Sequence, residues 1–505
     1  MATIVSRHGL RSPVGQLALH EALQTTLPQP PTHSYVANGI RRTIVAGTYT
    51  EEYYRPQYNT DGTLLGNLKF ALKNEPLDLR IIHATLLAIG ERELETWIRN
   101  EPTGAYSRRS WFLYEYFTGR SLNIEDAGQG NYVDALDAKK HFVAKSKNSS
   151  RHRVRNNLLG TSDLCPTVRK TRKLEEMMAK GIGEEAKLLT SRYPAEILAR
   201  AVSYLYTKET RSSFAIEGET PTSDREERFL RALQAVPTFN HESKNDFLRL
   251  QGQIVDPRYA AKDWRDIQNF VGETTRNFGE NVHFVCPRPQ DVPRLMAGWT
   301  ALADRLIASP LDPILATAVS AFSFVFIHPF EDGNGRIHRF LIHYLLTKLG
   351  FTPPGVIFPV SVAILRELYL YDKALEAFSK PIMTSINWEF TPQNELVVRN
   401  ETLDLYRFFD ATAQVEYLYD RVVETVRVDF KEELAFRNVF DRALAAVKSI
   451  VDMPDRQAAL ITRNCLQNGG HISNNQRKKL PELTEDELQQ IELAVQESVR
   501  AASEI

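Results

Sequence analysis

Residues 328 to 339 read His-Pro-Phe-Glu-Asp-Gly-Asn-Gly-Arg-Ile-His-Arg, and apolar sequence lies on both sides of them. The preceding run, residues 315–327, is almost entirely apolar. In the following run, apolar residues recur at helical spacing. This pattern predicts a loop between two largely buried helices.

The centre of this loop has the composition of an anion site. Gly333, Asn334 and Gly335 tolerate positive φ, so their N–H groups can turn inward together at the start of the second helix. Unpaired N–H groups and the helix dipole favour negative charge there. Arg336 and Arg339, three residues apart, share one face of that helix and can reach one ligand. The stretch therefore predicts a polyphosphate site.

The remaining residues of the stretch suit phosphoryl or nucleotidyl transfer. His328 has a side chain whose ordinary pKa lies near neutrality, so it can accept a proton from an attacking hydroxyl. Asp332 offers a hard oxygen ligand, which can hold a Mg²⁺ ion that bridges phosphates. Phe330 is expected to point away from the site and to anchor the loop in the core.

The stretch resembles the Fic motif, His-x-Phe-x-(Asp/Glu)-Gly-Asn-(Gly/Lys)-Arg-x-x-Arg, at every defined position. The resemblance implies a mainly α-helical Fic core that transfers AMP from MgATP to a Ser, Thr or Tyr hydroxyl of a target protein. It makes His328 the general base and Asp332 the Mg²⁺ ligand. It also makes residues 333–335 the cradle of the α- and β-phosphates, and Arg336 and Arg339 the clamps on the outer phosphates.

A second motif lies upstream, at the end of a predicted helix. Ser213 and Glu217 are four residues apart and would share a helix face, and Gly218 suits the position after a helix end. The pattern resembles the (Ser/Thr)-x-x-x-Glu-(Gly/Asn) inhibitory helix of some Fic proteins. This resemblance implies that Glu217 pairs with Arg339 in a bidentate geometry, while Ser213 tunes the contact through a hydrogen bond.

Two further features are expected near the site. Residues 282–286, between Gly279 and Pro287, predict one strand of a short hairpin. By the resemblance this hairpin is a flap over the site, whose edge can pair with an extended loop of the target protein. Tyr371 lies on a later helix and either flanks the nucleotide base or is an ordinary core residue.

Length and helical patterning predict a mainly α fold in three parts. These are an N-terminal helical extension (1–185), a central part (186–380) that the resemblance makes the Fic core with its inhibitory helix, and a helical C-terminal domain (381–505). The last part resembles the winged-helix-like C-termini of some bacterial Fic proteins. A net charge of −1, three widely spaced cysteines and an apolar run of only 13 residues at 315–327 give no indication of membrane insertion, secretion or a disulfide framework. The expected location is the cytoplasm.

A different class of function stays open at this point. Residues 145–173 are rich in Arg and Lys, and Arg477, Lys478 and Lys479 lie together in the C-terminal domain. They leave room for a DNA- or partner-binding regulator that only senses the nucleotide. A Fic enzyme could also use another nucleotide or remove AMP, in which case Glu217 would matter for removal. The oligomeric state is open as well.

Overall fold

The computed structural model describes residues 5–6, 9–24, 26–47, 49–274, 280–353 and 355–503. The fold is mainly α-helical, as the sequence predicted. None of the described helices has both the length and the apolar content needed to cross a bilayer.

The N-terminal region combines helices with two sheets. Its helices are α1 (Gly15–Leu23), α2 (Leu64–Asn74), α3 (Leu79–Ile89), α4 (Glu91–Asn100) and α5 (Ala105–Thr118). A five-stranded sheet of order β1-β2-β3-β5-β4 is formed by β1 (Val5–Ser6), β2 (Gly9–Val14), β3 (Thr32–Ala37), β4 (Arg42–Ala46) and β5 (Tyr49–Tyr54). A smaller sheet contains β6 (Val133–Asp134), β7 (Lys147–Ser149) and β8 (Val154–Asn156).

The prediction of a helical N-terminal extension missed the five-stranded sheet. One reason is that β4 is an edge strand with mostly exposed residues, so it lacks the alternation of buried and exposed positions that reveals a strand. Another reason is that β3 pairs in parallel with β5, although β4 lies between them in the sequence. Two strands paired in this way are not joined by a short turn, so the sequence carries no turn signal for their pairing.

The central region holds the motif. Its helices are α6 (Arg172–Ala179), α7 (Ile182–Ser191), α8 (Ala195–Ile216), α9 (Ser223–Gln234), α10 (Lys244–Ile254), α11 (Val292–Ile307), α12 (Pro313–Ile327), α13 (Asn334–Lys348), α14 (Val360–Arg366) and α15 (Leu368–Met383). Two hairpins accompany them, β9 (Phe270–Thr274) with β10 (Glu280–Val285), and β11 (Trp388–Phe390) with β12 (Leu396–Val398).

Helices α12 and α13 are the predicted buried pair around the motif loop. Asp312 caps α12 by accepting hydrogen bonds from the first backbone N–H groups, and Pro313 occupies the first turn, where its missing N–H costs nothing. Every residue from 314 to 327 is buried, because α11, α13 and a C-terminal helix, α17 (Thr412–Glu424), surround α12. The motif loop is thus fixed at both ends by the centre of the core.

The C-terminal region contains α16 (Leu403–Arg407), α17 (Thr412–Glu424), α18 (Lys431–Ile450), α19 (Asp455–Gln467), α20 (Asn474–Arg477) and α21 (Glu485–Ser503). A π-helical segment joins α17 to α18 without a break. Helices α18, α19 and α21 share a separate small core.

The C-terminal region as the sequence delimited it, residues 381–505, also includes the β11–β12 hairpin, and its winged-helix-like character stays a prediction. Residues 399–503 are all described and contain no strand, so β11–β12 is the hairpin of the described part of this region. The Gly-Gly pair at 469–470, both with positive φ, turns the chain directly from α19 toward the short α20. Amphipathic helical patterning alone does not distinguish a winged helix from this three-helix packing.

Candidate active site

His328 ends α12 in the left-handed region, with φ 52°. Its Nδ1 lies 3.2 Å from the Val325 carbonyl oxygen. A carbonyl can only accept, so Nδ1 carries the proton and Nε2 keeps its lone pair. Burial, together with the nearby charge of Arg265, lowers the pKa of His328 to about 4. The imidazole is therefore a neutral base over the physiological pH range.

The motif loop is held by its own side chains. Phe330 is fully buried, and its ring centroid lies 5.1 Å from that of Trp264. The Asn334 side chain accepts a hydrogen bond from the Phe330 N–H (3.0 Å) and donates one to the Phe330 carbonyl (2.8 Å). Phe330 is thus the anchor that the sequence predicted. The amide of Asn334 stabilises the loop, which leaves only its backbone N–H for a ligand.

Asp332 and Gly333 form the turn into α13. Gly333 has φ +89°, and an added Cβ would lie 3.1 Å from a Val255 methyl group, so both conformation and space require glycine. The Asp332 Oδ1 accepts a hydrogen bond from the Gly333 N–H at 2.6 Å. Its Oδ2 accepts none from any residue described, and the side chain is 66% exposed. One free carboxylate oxygen beside a phosphate site fits Mg²⁺, which commonly binds one or two carboxylates plus substrate phosphates.

Glu217 lies over the start of α13, where the anion site was predicted. One carboxylate oxygen is 2.7 Å from Nη2 of Arg339, and the other is 2.8 Å from Nε of Arg336. A Cβ added at Gly335 would come within 2.4 Å of the carboxylate. The predicted Glu217–Arg339 contact is thus present in a different form, because the carboxylate bridges two arginines instead of forming a bidentate pair with one.

Ser213 and Gly218 determine where this carboxylate lies. Arg339 donates from Nε to the Ser213 hydroxyl (2.7 Å) and from Nη2 to the Ser213 carbonyl (2.8 Å). Gly218 has φ +71°, and the N–H groups of Gly218 and Glu219 bond to the Ala215 and Phe214 carbonyls. This is a Schellman helix end. It places Glu217 at the last turn of α8, as its spacing predicted.

A buried cluster that the sequence did not reveal joins α8 to α13 two turns away. Glu209 lies 2.7 Å from Nε2 of His343 and accepts a hydrogen bond from the Ser361 N–H at 2.8 Å. Glu209 and His343 are both buried. Glu209 lies four residues before Ser213, and His343 lies four residues after Arg339. This pair therefore extends the contact between α8 and α13 by one helical turn.

Tyr371 is part of the core and is only 5% exposed. Its ring stacks on His338 with centroids 6.0 Å apart, and it also packs near Phe322 and Tyr417. Burial raises the pKa of its hydroxyl to about 12. Of the two interpretations of Tyr371, these contacts favour the core residue.

The predicted flap is an antiparallel hairpin of β9 and β10, with an irregularity between Val282 and Phe284. Phe284 and Val285 are buried, and the Phe284 ring packs near Phe326 of α12. Gly279, the predicted boundary before this strand, lies outside the described residues. The base of the hairpin therefore belongs to the core, close to the helix that carries His328.

The basic residues that left a DNA-binding function open are largely paired. Arg151 contacts Glu115 and Asp126, and Arg169 contacts Asp410. Other residues of the 145–173 stretch contact acids too: Arg155 pairs with Asp134, and Lys173 with Glu416 and Asp420. In the C-terminal region, Arg477 contacts Glu485 and Glu492, while Lys478 and Lys479 are exposed.

Residues 241–346 match the Fic/DOC family. The chain is 27% identical over 231 residues to the Protein adenylyltransferase Fic of Drosophila mojavensis, which covers 42% of this chain and 45% of that protein. It is 29% identical over 207 residues to the protein of the same name from Nematostella vectensis, covering 36% and 48%.

The chain thus spans about half the length of the curated relatives it matches. A crystal structure of a Fic family protein from Desulfovibrio desulfuricans G20 is 19% identical, covers 59% of this chain and 88% of that chain, and has a TM-score of 0.39. The motif of residues 328–339 lies within the matched segment. The similarity to the Fic/DOC family thus covers the segment of this chain that contains the motif.

Proposed function

We propose that this protein is a protein adenylyltransferase that uses MgATP. A Ser, Thr or Tyr hydroxyl of a target protein loses its proton to Nε2 of His328, and its oxygen forms a bond to the α-phosphorus of ATP. The bond between that phosphorus and the oxygen bridging to the β-phosphate breaks. Pyrophosphate leaves with the electron pair, and AMP stays on the target.

One observation carries this proposal: a neutral histidine with an unprotonated Nε2 ends α12, five residues before the N–H groups that open α13. Arg336 and Arg339 of the first turns of α13 are buried, so their charges act in a medium of low dielectric constant. Donors and cations fixed in advance around a developing negative charge stabilise the transition state.

The phosphates would lie against the start of α13, with Arg336 and Arg339 as clamps. Asp332 would hold Mg²⁺ through its free oxygen. When bound, the metal ion would neutralise charge on the phosphates and on the leaving group. The edge of the flap around 282–286 would bind the target backbone by strand pairing.

The second half of the proposal is that Glu217 inhibits the enzyme. Its carboxylate occupies both clamp arginines, so a γ-phosphate would meet repulsion instead of a cation. ATP could then bind only with its α-phosphate displaced from the line of attack. Misplacement by about 1 Å can cost on the order of a hundredfold in rate.

The test is covalent labelling of proteins in a cell lysate from α-phosphate-labelled ATP. Glu217→Gly should raise labelling strongly with little change in nucleotide affinity. Adding His328→Ala should abolish labelling and leave MgATP binding intact, since the phosphate site remains. Arg339→Ala alone should not raise labelling, because it removes clamp and inhibitory contact together. Equal labelling with and without His328 would refute its role as base.

A further inference from the structure

Arg265 connects the flap to the motif loop. Its guanidinium donates hydrogen bonds to the carbonyls of His328 (2.7 Å), Ile267 (2.9 Å) and Pro287 (2.6 Å). Its backbone N–H donates a fourth bond to the Pro329 carbonyl at 2.8 Å. Ile267 precedes β9 and Pro287 follows β10, so one buried side chain joins both ends of the hairpin to the residue proposed as base.

The bond to His328 acts on a backbone in an unusual conformation. His328 is one of few non-glycine residues in the left-handed region among those described, and such a residue persists only where its surroundings fix it. Its carbonyl is the acceptor of Arg265 Nε, while its own N–H bonds back to Phe324. The backbone N–H and the backbone carbonyl of His328 are thus both hydrogen-bonded. These two bonds hold the backbone of His328 and thereby fix the direction of its imidazole.

The charge of Arg265 is not matched by an acid. In the described part of the chain all acceptors of its guanidinium are backbone carbonyls, and no carboxylate forms an ion pair with it. A buried cation next to His328 disfavours a second positive charge on the imidazole. The same cation adds positive potential at the base of the motif loop, which favours a phosphate nearby.

We propose that Arg265 is a positioning residue for the transfer step: it fixes the His328 imidazole relative to the flap, so that a hydroxyl on a flap-bound target meets the base. This proposal rests on the proposed function. Orienting the base and binding the nucleotide are separate tasks here, because Arg265 forms no hydrogen bond to the described residues that would hold the phosphates. Losing it should reduce turnover while leaving nucleotide binding unchanged.

The experiment compares Arg265→Met and Arg265→Lys with a control, all in the Glu217→Gly background. The control is Arg258→Met, which removes an exposed arginine paired with Asp256 in the same connection between α10 and β9. We expect kcat to fall about a hundredfold in Arg265→Met. The KM for MgATP should stay within about twofold. Arg265→Lys should recover part of the loss, since it keeps the charge and one donor. Arg258→Met should match the parent.

The pH dependence separates positioning from a general loss of stability. Removing the cation raises the pKa of His328, so the acidic limb of the kcat profile should move to higher pH in Arg265→Met and stay in place in Arg265→Lys. Unchanged kcat in both variants would overturn the proposal. So would a parallel loss of kcat and MgATP affinity without a shift of the acidic limb.

A readout without turnover keeps this inference distinct from the proposed function. In protein with isotope-labelled histidine, the His328 signal, assigned with His328→Ala, should titrate at higher pH in Arg265→Met than in the parent. If no variant transfers any group from ATP, the proposed function fails while this titration still tests Arg265. An unshifted His328 signal in a folded Arg265→Met would refute the role of Arg265.

Discussion

His328 shows how one residue obtains its chemistry from its surroundings. Its tautomer follows from the Val325 carbonyl, and its neutral state follows from burial and from Arg265. The sequence predicted the base, since histidine is the side chain suited to this step. It could not predict Arg265 as partner, because 63 residues separate the two and only folding brings them together.

The lowered pKa gives a prediction for pH. The base form is the neutral imidazole, so activity should fall only where His328 becomes protonated, around pH 4. A histidine with an ordinary pKa would already lose half its activity at about pH 6.5. With Glu217→Gly at saturating MgATP, kcat should be nearly constant from pH 8 down to about 5.5. A midpoint near 6.5 would show that the imidazole is not held in its neutral form.

At the scale of elements, α8 and α13 carry the contacts of the proposed self-inhibition. Three contacts follow one another along them: Glu209 with His343, Ser213 with Arg339, and Glu217 with both arginines. The sequence predicted the last two because their motifs are local. The sequence did not reveal the first contact, since a buried Glu–His pair has no local sequence signature. It assigned Glu217 to one arginine only, because spacing along the chain does not give the relative rotation of two packed helices.

The end of α8 can be tested through its glycine. Gly218 has φ +71° and open space at its Cβ, so Gly218→Ala strains only the backbone, by about 1 kcal/mol. Loosening the helix end should release Glu217 and raise basal labelling several-fold. Gly119→Ala is the matched control, because Gly119 ends α5 with φ +69° and equally open space. It should lower the melting temperature similarly without changing labelling. Equal labelling by both variants would uncouple the helix end from inhibition.

At the scale of the molecule, the motif lies in a core that runs from residue 144 to 434, whereas α18, α19 and α21 form their own small core. Helical periodicity predicted the mainly α fold. The five-stranded sheet escaped prediction because its pairing is non-local and its edge strand is exposed.

The C-terminal helices should bind DNA at most weakly. Arg477 is already paired with Glu485 and Glu492, which leaves Lys478 and Lys479 as exposed cations of that cluster. Affinity from so few phosphate contacts should be low and should fall with rising salt. Fluorescence anisotropy with duplex DNA should show this, and a Lys478→Glu, Lys479→Glu variant should remove the residual binding. Tight, sequence-specific binding at physiological salt would support a regulator instead.

The most direct test of the central claim is which part of ATP stays on the target. Glu217→Gly protein is incubated with Mg²⁺ and lysate in parallel with ATP labelled at the α-phosphate or at the γ-phosphate, with Glu217→Gly, His328→Ala as control. The account predicts that α-label becomes covalently attached to protein, that γ-label does not, and that the control attaches neither. Attachment of γ-label, or of no label from either ATP, would contradict adenylyl transfer by this site.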